Sequence, residues 1–228
     1  MSTACDLLVE HRRTCDTAAD AIFAALRSEF AACCDDGLRR TQLGTRSLLT
    51  WIAEHVKHLQ HASTLCCRKV LPPVADEFTP ALATVLEAFL AASGLPGRVQ
   101  SEVRVVRRRG QQRPDITVWC SPGKPAAIIE CKTNLGYNRD GWRAQYEQRL
   151  AALRDLKINC PVYLCVLTQR NWETSWTRFA NSEHYQREWI CLTARWPGEI
   201  SSPAAEGDIL VPIEPMLTQI RARLRDSA

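Results

Sequence analysis

Arg113-Pro114-Asp115-Ile116-Thr117-Val118-Trp119 and Ala127-Ile128-Ile129-Glu130-Cys131-Lys132 are the stretches on which the fold turns. Each reads as a strand, and the turn Ser121-Pro122-Gly123-Lys124-Pro125 separates them. Side chains two apart on a strand share a face, so Glu130 and Lys132 project together and Cys131 turns the other way. Asp115 opens the preceding strand, where a hairpin brings it alongside. Two carboxylates and an ammonium at one spot are costly unless they serve one another or a metal. Oxygen clusters of this kind hold hard cations such as Mg²⁺. A neighbouring Lys can then orient or deprotonate an attacking water and stabilise phosphoryl charge. An exposed Glu–Lys pair with a turn Asp is the bland alternative, worth only ~0–1 kcal/mol. The apolar run Ile128-Ile129 leading straight into charge favours a buried strand that delivers ligands to a cleft.

Pro114-Asp115 and Glu130-Cys131-Lys132 resemble the signature of the PD-(D/E)XK nuclease superfamily, which has the restriction-endonuclease-like fold. The resemblance covers roughly residues 76–168. It implies an α/β domain with an αβββαβ core, a mixed central sheet flanked by helices. It further implies that Asp115 and Glu130 bind Mg²⁺, with the carbonyl of Cys131 as a further ligand and Mn²⁺ able to substitute. Lys132 would position the water. The resembled fold carries an acidic residue on its first core helix, and Glu87 is the candidate there; a solvent-facing glutamate is the alternative. Gln145, on the helix after the motif, would contact substrate or water. It departs from the Gln-x-x-x-Tyr pattern of some branches, because Tyr146 follows directly. Thr133 and Asn134 either touch a phosphate or simply begin a loop. The activity implied is metal-dependent hydrolysis of phosphodiester bonds, most simply by a DNA endonuclease of restriction, phage defence, mobile elements or repair.

The flanking sequence predicts an order that agrees. Thr79-Pro80 suits a helix start and Gly94 a helix end, with Leu82, Val85, Leu86, Phe89 and Leu90 as the apolar stripe. A strand is expected over 99–106, and Gly110-Gln111-Gln112 turns the chain into Asp115. A loop over 136–140 precedes a helix over 141–157 that packs Trp142, Tyr146, Leu150 and Leu153. Strands are expected at 162–167 and 189–192, a loop over 197–207, and a closing helix over 214–225 with Leu217, Ile220 and Leu224 inward. Residues 1–72 read as a helical subdomain of two helices broken at Asp35-Asp36-Gly37 and closed by Leu71-Pro72-Pro73. Residues 73–228 form the nuclease-like domain.

With 228 residues, 46% hydrophobic and 24% charged, the chain suits one globular domain with a helical extension. No apolar run reaches the ~20 residues of a membrane span, and the N-terminus lacks a basic-then-apolar leader, so a cytoplasmic location is expected. The net charge of +4 is modest, but Arg104, Arg107, Arg108, Arg109 and Arg113 cluster just before Asp115. Beside a carboxylate site such a patch suits a phosphate backbone; a solvated basic edge is the alternative. The 11 cysteines are odd in number and read as reduced core residues. Cys33-Cys34 and Cys66-Cys67 bracket His55, His58 and His61, but adjacent cysteines do not match zinc-site spacing. Trp172, Trp176, Trp189 and Trp196 among arginines either stack on bases or pack; packing is the commoner use. Three function classes stand: a nuclease acting on nucleic acid, a non-catalytic nucleic-acid-binding or assembly module, and an interaction protein whose N-terminal helices hold a partner. A homodimer would suit double-strand cutting.

Overall fold

The computed structural model describes residues 4–33, 35–65, 74–105, 113–135, 141–155 and 158–227. The chain opens with three helices, α1 (Ala4–Ala32), α2 (Asp35–Thr41) and α3 (Leu43–Leu65). The expected break at Asp35-Asp36-Gly37 is instead part of α2. The chain leaves the helix at Cys33 and turns again at Gln42, whose φ of 50° no helix interior accepts. α4 (Ala75–Ser93) starts earlier than expected, so Thr79 is not its cap and Pro80 lies inside it. Gly94 ends it as expected, at φ 64°, with its N–H donated to Ala91 O at 3.3 Å.

β1 (Arg98–Ser101) is shorter than the strand predicted over 99–106. Glu102 adopts φ 52° and its N–H bonds Asp115 O at 3.1 Å, which turns the chain off the ladder. Antiparallel β2 (Ile116–Ser121) and β3 (Lys124–Lys132) follow, joined at Pro122-Gly123, where Gly123 has φ 80°. α5 (Gly141–Asp155) crosses to β4 (Val162–Thr168). α6 (Glu173–Ala180), absent from the sequence reading, crosses to β5 (Trp189–Thr193). α7 (Glu214–Arg225) closes the chain.

The result is an α/β fold with a five-stranded mixed sheet in the order β1-β2-β3-β4-β5. The first three strands are antiparallel neighbours and the last three are parallel ones. β4 and β5 are buried along their whole length, as parallel strands covered on both faces must be. Alternate residues feed two cores. Ile129, Cys131, Cys165 and Leu192 face α1, α3, α4 and α7. Ile128, Leu164, Val166 and Cys191 face α5 and α6. Leu48, Leu49 and Ile52 of α3 share the first core with Leu82 and Leu217. The loop expected over 197–207 is tied down: Ala204 N–H donates to Thr50 Oγ1 at 2.9 Å, and Ser201 and Ala205 N–H donate to Asp208 Oδ2. Among the described residues no helix is long and apolar enough to cross a membrane.

Candidate active site

The β2–β3 register pairs Ile116 with Ile129 on the first core's face. One step further along the ladder, Asp115 falls beside Glu130, on the face that α5 covers. Backbone chemistry then fixes Asp115: its Oδ2 accepts the Cys131 N–H at 2.7 Å. Lys132 Nζ lies 4.0 Å from the same oxygen. The expected convergence of Asp115, Glu130 and Lys132 at one strand end is therefore present. Cys131 points to the opposite face as expected. Burial raises its thiol pKa well above the ordinary value, and the thiol sits in hydrogen-bond contact with Thr79 of α4.

Arg149 is a residue that the sequence reading missed. It projects from α5 and pairs with Glu130, and the two side chains are only 17% and 8% exposed. Burial lowers the Arg149 pKa, and the Asp115 charge acts in the opposite direction. A carboxylate this buried needs such a partner. The available signal was spacing: Trp142, Tyr146 and Arg149 recur at helical intervals on the packed side of α5.

A small cavity of about 50 Å³ opens between the two elements, lined by Glu130, Lys132, Gln145, Tyr146, Arg149 and Leu164 among others. Gln145 is thus at the site, exposed at its rim. Glu87 is not gathered there. It is exposed on α4, eight residues beyond Thr79 and hence about 12 Å along the helix axis. Arg113 is exposed and Asn134 half-buried, near the strand ends. Arg107, Arg108 and Arg109 lie outside the described residues, as do Cys34, Cys66 and Cys67 of the cysteine–histidine set. Of the expected set, Trp172, Trp176 and Trp189 pack, together with Trp142, on Phe179 at 5.0–5.7 Å between ring centroids, while Trp196 is half-buried. Edge and stacked ring contacts of this kind are the packing alternative for these four rings. A larger cavity of about 620 Å³ lies at the β1 edge, lined by Arg98, Arg104, Trp119 and Pro122 among others.

Among the described residues no group of three or more His, Cys, Asp or Glu side chains stands ready to hold a metal. The set at hand is two carboxylates and a strand-end peptide carbonyl. All-oxygen donors of that kind match Mg²⁺ rather than zinc, and Mg²⁺ completes its shell with waters and substrate phosphates. The cluster already draws a cation to Glu130, the Arg149 guanidinium. The residues therefore fit a hard divalent ion, provided Arg149 yields its place.

No protein-family model, no curated protein and no solved structure matches the chain.

Proposed function

We propose that the protein is a metal-dependent nuclease with a restriction-endonuclease-like core, hydrolysing phosphodiester bonds in DNA. The observation that carries this reading is the Asp115–Cys131 hydrogen bond, which ties the Pro-Asp strand to the Glu-x-Lys strand at their charged ends. A mixed sheet entered by three antiparallel strands and continued through a helical crossover supports it.

Asp115 and Glu130 would hold the divalent ion. When bound, such an ion polarises the scissile phosphate and lowers the pKa of a coordinated water. The Cys131 N–H holds the Asp115 carboxylate in a fixed orientation and leaves its second oxygen for a ligand. Lys132, more exposed than its neighbours, positions the water and offsets charge developing on the phosphate. Gln145 at the cavity rim contacts the substrate strand.

Cleavage of supercoiled plasmid and of single-stranded DNA, with Mg²⁺, Mn²⁺ or EDTA, tests the reading. The parent cuts only with metal, and identically prepared Lys132→Ala protein does not cut. Equal cutting by both proteins would refute the site.

A second reading has its own observation. Glu130 is already neutralised by a buried guanidinium, as expected of a binding module that kept the fold without the chemistry. Nucleic-acid binding indifferent to metal, with no cutting, would select it.

A further inference from the structure

We propose that Arg149 is the resident counter-cation of the acidic site: it holds Glu130 in the metal-free protein, gives way to the divalent ion, and thereby makes ion and nucleic acid bind cooperatively. This rests on the nuclease reading above and says how that site is loaded.

Four ionisable groups meet at the strand end: Asp115 and Glu130 are negative, and Lys132 and Arg149 are positive. Their formal charges cancel. A divalent ion entering a neutral cluster leaves two uncompensated charges in a half-buried place, which is unfavourable where the effective dielectric is low. The missing negative charge must come from outside the chain, and phosphodiester oxygens supply it. Mg²⁺ is suited to such sharing, because it commonly takes one or two carboxylates and completes its shell with substrate phosphates and water.

Space leads to the same conclusion. The cavity of about 50 Å³ beside Glu130 and Arg149 is roughly the room of one or two waters. While the guanidinium stays on Glu130, that room suits an ion better than a phosphodiester group. A guanidinium displaced from Glu130 remains on the inner side of α5, and its planar fork suits a phosphate in two parallel hydrogen bonds. Arg149 would thus exchange one anionic partner for another as the ion enters. Linkage makes the effect reciprocal: if nucleic acid raises the affinity for the ion, the ion raises the affinity for nucleic acid by the same factor.

The test is calorimetric titration of Mg²⁺ into the full chain, alone and with a saturating phosphorothioate-linked oligonucleotide that resists cutting. In the parent, the oligonucleotide tightens Mg²⁺ binding about tenfold, within the ordinary range of coupling between sites. Arg149→Gln leaves the carboxylates with excess negative charge, so it binds Mg²⁺ alone about tenfold more tightly and keeps less than about threefold coupling. Arg149→Lys retains the charge and stays close to the parent. Because Arg149→Gln strands a buried carboxylate, its melting temperature is also followed against Mg²⁺ and rises more steeply than the parent's. Should that variant not fold, the coupling in the parent and the behaviour of Arg149→Lys decide. Mg²⁺ binding that needs Glu130 but is the same in parent and Arg149→Gln, with no coupling to the oligonucleotide, overturns the counter-cation and leaves the metal reading standing. No Mg²⁺ binding by the parent, with or without oligonucleotide, overturns both.

Discussion

Asp115 and Glu130 are both acids of the candidate site, yet the chain holds them by different means, and substitutions at the two should differ accordingly. Asp115 accepts a hydrogen bond from a neutral donor, the Cys131 N–H, and its charged neighbour Lys132 is partly exposed at 4.0 Å. Asparagine offers the same acceptor oxygen without the charge. Asp115→Asn should therefore unfold within about 1 kcal/mol of the parent in urea while losing cleavage by at least a hundredfold. Glu130 is different, because its removal takes a buried carboxylate from the largely buried Arg149 guanidinium. Glu130→Ala should cost about 3–5 kcal/mol, so its loss of activity would report on the fold as much as on chemistry. Loss of cleavage with the fold spared is thus the expected outcome for Lys132→Ala, at a partly exposed side chain, and not for Glu130→Ala. Arg149 is not legible as a site residue in the sequence, because the periodicity of α5 marks its apolar side chains. A cation on the packed side becomes meaningful only once β3 presents a buried carboxylate to it.

Single elements were legible where periodicity and punctuation agreed. Gly94 stops α4, and it does so with a left-handed conformation in open space, since an added Cβ would meet nothing within 4 Å. The cost of Gly94→Ala is therefore backbone strain alone. It should lower unfolding stability by about 1–2 kcal/mol with no change in the denaturant m-value, measured by chemical denaturation. Elements set by tertiary contacts were not legible. α4 runs back to Ala75 although Thr79-Pro80 is a good local start, because Phe78 is buried in the first core and continues the packed face. β1 ends at Ser101 although Val103 and Val105 continue the alternation, because Glu102 turns its N–H to Asp115 O and away from the ladder. α6 went unnoticed because its eight residues are too few for a helical period to stand out.

At the scale of the whole molecule, the N-terminal helices and the sheet are joined by a polar contact as well as a shared apolar core. Glu214 at the start of α7 is buried, and its carboxylate accepts the Thr45 N–H at 3.0 Å and the Thr45 hydroxyl at 2.6 Å. The same hydroxyl accepts the Ile213 N–H at 2.8 Å. One threonine of α3 therefore satisfies both a buried carboxylate and a backbone donor on the far end of the chain. Thr45→Val keeps the shape and removes that hydroxyl, so it should cost about 2 kcal/mol, as expected for buried polar groups left unpaired. The penalty should also depend on pH. Burial pushes the Glu214 carboxyl above its ordinary value, and the Thr45 bonds pull it back down. A carboxyl raised in the folded state contributes stability below the unfolded value and loses it as pH rises through the folded value. Deleting the hydroxyl raises the folded value further, so the difference between variant and parent widens as pH climbs out of the carboxylate range. Urea unfolding at pH 5 and pH 8 should show the larger loss at pH 8. An equal loss at both would mean that the Ile213 N–H, not the Glu214 charge, is what Thr45 chiefly serves.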